Sequence, residues 1–345
     1  MWFCGIDWAD EHHDALTIDE QGHRAGSIRI THTPEGLRQL DAYLEEMVGP
    51  DHEQMACIVE TMLGLLIAHL LEQDWQVYPI NPRTVERRHA PSVAKTDTVD
   101  AYLLVKTGWA DLADLRWLAP DSEKIQELKT LTRDQDTSIQ MQTRLVNQLT
   151  ACLKAYYPVA LELFGKLQQP STLHFLRTYP TPQQACSASV EQLTSTLKQT
   201  LYPGAARAAQ QIAEQLQQPH LKANEITTRT KSRLMLALLA QLELLMQQIA
   251  DYDKEIARLF LMHADNELFQ ALPGAGKRLS PRLLAKVGDD RTRYVAASSL
   301  QALAGTSPVL FQSGMYCKAH RHLGCSKPLR NALQQFALLS THSEP

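Results

Sequence analysis

The chain has 345 residues, 44% of them hydrophobic, and a formal net charge of −4 at pH 7. This composition excludes a disordered chain, and the length exceeds what one hydrophobic core usually serves, so two or three domains are expected. The most apolar stretch, LMLALLAQLELLMQQIA, is interrupted by Gln241, Glu243 and Gln247 and is too short to span a bilayer. The start, MWFCGIDWADEHHD, has acids where a signal peptide needs basic residues. We therefore expect a cytoplasmic protein with no membrane partner.

Residues 1–80 predict an α/β domain. Strand-like segments WFCGID, HDALTID and AGSIRI come first, and the turn EQGH separates the second from the third. A helix follows in TPEGLRQLDAYLEEM, with Thr33 as its N-cap and Pro34 at its first position. The strand MACIVE, the helix GLLIAHLLEQ and the strand WQVYPI then alternate. Three strands followed by alternating helix and strand are typical of an α/β sheet.

The middle of the chain is predicted to be helical. Residues 122–157 form one long helical pattern, and the segment RTYPTPQQACSAS interrupts the helices that follow. From Met235 to Leu259 apolar residues recur in alternating steps of three and four, which is a heptad seam. The seam is typical both of a coiled coil, which would dimerise the protein, and of an ordinary buried bundle helix.

The C-terminal part has a different charge from the rest. Residues 271–345 carry ten Lys or Arg against three acids, a net +7, which leaves −11 on the remainder of a chain whose total is −4. A basic module on an acidic body is typical of a nucleic-acid contact surface. The stretch LFQALPGAGKRLSPRLLAKVGD resembles a helix-hairpin-helix, whose turn N–H groups can meet a phosphate.

The six cysteines show no C-x-x-C spacing, which suits reduced thiols in a cytosol. One local group, Cys317, His320, His322 and Cys325, has zinc-ligating atoms. Its spacing matches no common zinc module, so we do not predict a zinc site.

Four acidic residues could form a metal site. Asp7 ends the first predicted strand and Glu60 ends the fourth, and these strands would be parallel neighbours in a ribonuclease-H-like sheet. Asp97 and Asp100 lie three apart at the start of an apolar helix, where such acids often serve only as cap and dipole partner. If that helix packs by the sheet, four carboxylates converge and require hard cations, Mg²⁺ or Mn²⁺, in a two-ion site. Three further acids near the first strand rank lower: Asp10, Glu11 and Asp14.

The segments GIDWAD, VET and AKTDTVDAYLL, with LPGAGKRLSPRLLAKVGD, ALAGTSPVLFQSGM and HLGCSKPLRNAL, resemble the DEDD (RuvC-like) transposases of the insertion-sequence-one-ten family, which are related to Piv-type DNA invertases. The block K-T-D-x-x-D-A is the most diagnostic. The resemblance implies a RuvC-like catalytic domain at 1–120, a helical or coiled-coil dimerisation region at 121–265, and a mostly α C-terminal transposase domain at 266–345. It also implies that Asp7, Glu60, Asp97 and Asp100 are the metal-binding tetrad.

The resemblance further implies that Ser313 is a covalent DNA nucleophile. The family pattern at this position is Ser-Gly-Gly, whereas this chain has Ser313-Gly314-Met315. A serine hydroxyl needs activation, and a phosphoserine intermediate would conserve bond energy so that strands rejoin without ATP. Tyr316 is a rival nucleophile.

The resemblance also implies partners: element and target DNA, a structured guide RNA encoded by the element, and further copies of the chain in a homodimer or homotetramer. Base pairing would then read sequence while the protein holds the backbone. We expect a bacterial cytoplasmic, nucleoid-associated enzyme. The predicted nucleic-acid-binding residues are Arg83, Arg87, Arg88, Lys95, Gly274, Gly276, Lys277, Arg278, Arg282, Lys318, Arg321, Lys327 and Arg330.

The sequence therefore predicts a site-specific DNA transposase or recombinase. Two alternatives stay open. One is a junction-resolvase type nuclease that uses the same tetrad with water as the nucleophile. The other is a coiled-coil nucleic-acid scaffold without activity.

Overall fold

The computed structural model describes residues 1–62, 64–82, 85, 97–119, 121–322 and 324–342. The chain forms two compact units, Met1–Asp121 and Ser122–Pro345, which are called unit 1 and unit 2 below. The division falls between Asp121 and Ser122, and residues 265 and 266 both belong to unit 2.

Unit 1 contains a five-stranded mixed sheet in the order β3-β2-β1-β4-β5. Strand β1 pairs antiparallel with β2, which pairs antiparallel with β3, whereas β1, β4 and β5 run parallel. The prediction that the first and fourth strands are parallel neighbours is therefore confirmed. The strands are β1 Trp2–Trp8, β2 His12–Ile18, β3 Arg24–Thr31, β4 Met55–Val59 and β5 Gln76–Pro79.

Helices cover both faces of this sheet. They are α1 Pro34–Val48, α2 Leu65–Glu72 and α3 Asp97–Asp111. The predicted cap of α1 is confirmed, because the Thr33 Oγ1 accepts a hydrogen bond from the Gly36 N–H at 3.1 Å. On one face, Ile6 and its neighbours pack with the apolar residues of α1 and α2. On the other face, Phe3 and Ile58 pack with Ala101, Leu104 and Val105 of α3.

Unit 2 is mostly helical. Its helices are α4 Glu123–Tyr156, α5 Pro170–Thr178, α6 Pro182–Cys186, α7 Val190–Gln199, α8 Ala205–Leu216, α9 Glu225–Leu261, α10 Asn266–Gln270, α11 Gly276–Val287, α12 Ala297–Ala304 and α13 Lys327–Ser340. An antiparallel hairpin, β6 Val309–Ser313 and β7 Tyr316–His320, precedes the last helix.

The heptad seam of α9 is buried within unit 2. Near one end of α9, Met235 packs with Leu149 of α4, and near the other end Ile256 packs with Ile125, so the two long helices run antiparallel. Of the eight seam residues only Tyr252 is partly exposed. The seam therefore packs as a bundle helix does, inside the chain, and does not form a surface for a second copy.

Helix α9 is also long and apolar enough, by length and composition, to cross a membrane, with a mean hydropathy of 1.3 over its most apolar window. It is the one helix in the described part of the chain with this property. Core helices commonly share this property, and the buried seam identifies α9 as a core helix.

A second hydrophobic cluster joins the start of α4 and the end of α9 to helices α11 and α13. Its members on α11 and α13 include Leu279, Leu284 and Ala332. The helical middle and the C-terminal region thus share one core.

Candidate active site

Two of the four predicted metal ligands lie at one edge of the sheet in unit 1. Ile6 of β1 pairs in parallel register with Val59 of β4. Asp7 and Glu60 are the next residues along these two chains, and both are partly buried. Because neighbouring parallel strands end at the same edge, the two carboxylates belong to one rim of the sheet.

The helix that carries the third predicted ligand, Asp100, makes a close contact with β1. A Cβ atom built on Gly5 would lie 2.3 Å from the Ala101 carbonyl oxygen and 2.6 Å from the Val105 nitrogen. Only glycine permits the helix backbone to approach the strand this closely. Asp100 precedes Ala101, and Asp7 lies two residues beyond Gly5, so the two acids flank the contact.

A second close contact fixes α3 over β4. A Cβ on Gly108 would lie 2.4 Å from the Ile58 Cδ1 atom, which shows that Ile58 faces α3. Side chains alternate along a strand, so Glu60 is on the face of Ile58 and Asp7 is on the face of Gly5. Both acids therefore project towards the layer that contains α3.

These carboxylates form an all-oxygen donor set, which suits a hard cation of the Mg²⁺ class. Among the residues whose side chains are described, no three acidic, His or Cys side chains come close enough to hold a metal ion. Asp97 begins α3, but its side chain lies outside the described residues. The structure thus gives Asp7 and Glu60 a common face and edge of the sheet and sets Asp100 on the helix that packs over this face. The described side chains do not form a closed metal cluster.

Asp14 is a further carboxylate at this edge, although the sequence analysis did not place it beside Asp7. It lies directly opposite Asp7 in the antiparallel pair of β1 and β2. Arg29 of β3 binds it with two hydrogen bonds, of 3.0 Å from Nε and 2.7 Å from Nη2. The guanidinium offsets the repulsion of two acids facing each other across strands. The strand alternation and hairpin register would have placed Asp14 beside Asp7, whereas Asp10 and Glu11 lie in the exposed turn.

His13 faces away from the carboxylates. It lies on the sheet face of Ala15, which packs with α1 and α2. Burial, reinforced by His32, lowers the pKa of His13 to about 4. Its Nδ1 accepts a hydrogen bond from the Ala9 N–H, so its Nε2–H donates to the His32 Nδ1 at 2.8 Å. His13 is therefore a neutral structural residue.

The predicted phosphate-binding turn precedes α11. Gly274 and Gly276 have positive φ angles of 74° and 57°, and α11 begins at Gly276 without a side-chain cap. Uncapped N–H groups at a helix start suit a phosphate. Lys277 is exposed there.

Three further predicted nucleic-acid contacts have partners inside unit 2. Arg278 donates from Nε to Asp253 at 2.7 Å, and Arg282, whose side chain is only 13% exposed, pairs with Asp136 at 2.6 Å. Arg330 is buried and donates from Nη1 to the Cys325 Sγ at 3.3 Å. Arg282 is thus ion-paired and Arg330 is buried within unit 2.

The other seven predicted nucleic-acid contacts are either exposed or lie outside the described residues. Lys318, Arg321 and Lys327 are exposed. The basic segment with Arg83, Arg87, Arg88 and Lys95 lies outside the described residues. The side chains of the possible zinc group around Cys317 and His320 do not lie close enough together to bind a metal ion. No metal-binding cluster occurs in the described part of the chain.

Ser313 ends β6 at the tip of the hairpin and is exposed. It pairs with Tyr316, and a two-residue turn, Gly314–Met315, joins the strands. Gly314 has φ +56°, whereas Met315 is not among the residues with positive φ. This pattern matches a turn that requires glycine only at its first central position. Met315 is therefore compatible with the backbone that presents the serine.

Comparisons with known proteins now identify the class. A family model described as transposase, of the DEDD type, matches residues 4–158. A second model, described as transposase of the IS116/IS110/IS902 family, matches residues 266–345. Together they cover the sheet with the carboxylates, the Gly-x-Gly turn and the hairpin. The chain is a DNA transposase.

Three relatives align with most of this chain. A mini-circle putative transposase for IS117 from Streptomyces coelicolor is 32% identical over 354 aligned positions, covering 99% of this chain and 85% of that protein. An uncharacterized 44.8 kDa protein of insertion element IS116 from Streptomyces clavuligerus is 28% identical, over 91% of this chain and 77% of its own length. An uncharacterized 42 kDa protein of IS900 from Mycobacterium paratuberculosis is 25% identical, over 100% and 86%. The protein belongs to the IS110 family of DEDD transposases.

Proposed function

We propose that this transposase cuts and rejoins DNA strands with a metal-dependent carboxylate tetrad, Asp7, Glu60, Asp97 and Asp100, and with Ser313 as covalent nucleophile. One observation supports the proposal: Asp7 and Glu60 follow neighbouring parallel strands, and Gly5 lets α3, which carries Asp100, rest on β1 over the same face.

The strand order supports a ribonuclease-H-like, and thus RuvC-like, catalytic domain in unit 1. Three antiparallel strands are followed by two parallel strands on the side of β1, in the order β3-β2-β1-β4-β5. In such a sheet the end of β1 and the end of β4 carry adjacent acids. The family match over residues 4–158 includes all four proposed ligands.

The tetrad would hold divalent cations of the Mg²⁺ or Mn²⁺ class, two if all four carboxylates ligate, and these would stabilise charge on the reacting phosphodiester oxygens. In this proposal three of the acids supply ligands, and a neighbouring ion pair limits the repulsion among the carboxylates. Asp7 and Glu60 supply ligands from a rigid sheet edge, and Asp100 supplies one from a helix locked against it. The pair of Arg29 and Asp14 keeps the opposite strand from repelling Asp7.

Ser313 would attack the scissile phosphorus through its Oγ. The new bond is a phosphoserine ester, the bond to one deoxyribose oxygen breaks, and the serine proton ends on that oxygen. In the second step a deoxyribose hydroxyl attacks the phosphoserine and the serine recovers its proton. No bond energy is lost, so rejoining needs no ATP.

The remaining surfaces would bind nucleic acid. The uncapped start of α11 with Lys277 suits a DNA phosphate, and Lys318, Arg321 and Lys327 add positive charge near the hairpin. By similarity to its family, the protein is proposed to act as a dimer or tetramer with an element-encoded guide RNA, in the bacterial nucleoid.

Element excision in cells, scored as the joined-end circle, tests the chemistry. The element is supplied with its flanking non-coding DNA, and wild type is compared with Asp7→Ala and Ser313→Ala. Matched controls are Asp10→Ala, an exposed acid in the neighbouring turn, and Ser298→Ala, an exposed serine of α12. Loss of the circle in both test variants with retention in both controls is expected.

Other results would change the assignment. Full excision by Ser313→Ala would favour the resolvase-type reaction with water as nucleophile. Loss in Tyr316→Phe would move the covalent role to the tyrosine. Guide RNA is tested separately, by asking whether RNA from the element's flanks copurifies with the protein and whether ribonuclease treatment abolishes excision.

A further inference from the structure

The hairpin of β6 and β7 is exposed along its whole length. Every residue of both strands is exposed, including Phe311 at 56% and Tyr316 at 50%. A two-stranded hairpin without a packed face is marginal in water. Large rings at such a place are suited to contact with a partner.

The two faces of the hairpin differ in chemistry. The register pairs Ser313 with Tyr316 and Phe311 with Lys318, so all four share one face, called the ring face below. Val309 and His320 complete it, and Phe311 meets His320 edge-on at 5.0 Å. Lys318 holds its Nζ 5.8 Å from the centre of the Tyr316 ring. The opposite face carries no ring: Leu310, Gln312, Cys317 and Ala319.

The charge around the ring face selects an anionic partner. From Arg291 to Ser343 the sequence contains no Asp or Glu, while Lys318, Arg321 and Lys327 are exposed. Flat rings next to cations without acids are the combination that binds single-stranded nucleic acid, where bases stack on rings and phosphates meet Lys or Arg.

We propose that the ring face binds unpaired DNA bases beside the phosphate that Ser313 attacks, with Phe311 and Tyr316 as stacking residues and Lys318 as a backbone contact. The choice of DNA rests on the proposed function, because Ser313 lies on the same face. The strand is unpaired because base faces are covered in a duplex and become available to rings only when unstacked.

Binding is measured with full-length protein carrying Ser313→Ala, which prevents cleavage and separates this test from that of the nucleophile. The probe is a short single-stranded oligodeoxynucleotide with one 2-aminopurine, followed by fluorescence intensity and anisotropy. Phe311→Ala and Tyr316→Ala are each expected to weaken binding roughly tenfold or more, the usual cost of losing one stacked ring. Tyr316→Phe keeps the ring and should bind as the parent protein does.

Leu310→Ala is the matched control, since Leu310 is a large apolar residue exposed on the opposite face. It should change affinity less than twofold, and circular dichroism should show the same fold in every variant. Equal losses in Leu310→Ala and Phe311→Ala would overturn the proposal, as would equal affinity for duplex or for single-stranded RNA of the same sequence. A changed oligomeric state with unchanged DNA affinity in the ring variants would identify the face as a protein interface and also overturn it.

Discussion

Replacing Gly5 with alanine should separate the carboxylates by moving α3. The added Cβ would lie 2.3 Å from a backbone oxygen of Ala101, whereas an ordinary contact begins at 3.4 Å. Neither backbone can yield alone, so the helix must shift by about 1 Å. Overpacking of this kind costs about 1–3 kcal/mol. A misplacement of about 1 Å at a reaction centre can reduce the rate by roughly a hundredfold.

The assay compares circle formation per soluble protein with stability in urea. All five tryptophans lie in unit 1, so tryptophan fluorescence reports the unfolding of that unit alone. Gly26→Ala is the control, because its Cβ would meet only the movable hydroxyl end of Tyr43, at 2.9 Å. Gly108→Ala should be intermediate, since it meets the side chain of Ile58. Wild-type excision and stability in Gly5→Ala would refute the argument that this contact assembles the site.

Three further predictions concern charged groups. Arg29→Ala should lower the free energy of unfolding of unit 1, measured in urea, by about 1–2 kcal/mol, because the buried Asp14 loses its cationic partner. The loss is modest because half of the arginine side chain is exposed to solvent. Unchanged stability would contradict this. The pKa of His13 is about 4 in the folded protein, below its usual 6.5. As the pH falls, the unfolded chain therefore binds a proton at this residue before the folded protein does. Stability should therefore fall by up to about 3 kcal/mol as the pH drops from 6.5 to 4, and His13→Gln should flatten that dependence. Lys277→Ala should weaken DNA binding for every sequence and reduce its salt slope by about one. Arg282→Ala should instead lower the melting temperature with little effect on that slope, and equal slopes in both variants would contradict the assignment.

Much of unit 1 could be predicted because its signals are local. Alternation, turn residues and the Thr33 cap predicted the strands and α1 nearly to the residue. The parallel pairing of the first and fourth strands followed from the expectation of a ribonuclease-H-like sheet. The position of Asp7 and Glu60 at one edge then required no further information. The role of Asp14 needed the hairpin register, which composition does not reveal.

The predictions for unit 2 were weaker because they depended on partners. A heptad seam states that one helix face is apolar, but not which helix covers it, and here α4 of the same chain does. A cluster of basic residues likewise does not show which side chains are internal. Arg278 binds Asp253, which lies 25 residues earlier in the chain, and Arg282 binds Asp136, which lies farther away still. Only the fold reveals these pairs.

The diagnostic motifs are coupled by contact. Gly5 of the first motif touches Ala101 of the third, and Ala101 is small and buried because its backbone lies on the strand. The second motif, VET, directly follows Ile58 in the chain. Ile58 packs against Gly108, which lies on the same helix as Ala101. Each contact lies one or two residues from an acid: Asp7 after Gly5, Glu60 after Ile58, and Asp100 before Ala101. The small residues of these motifs thus set the spacing between strand and helix, and the acids occupy the positions that this spacing brings to one edge.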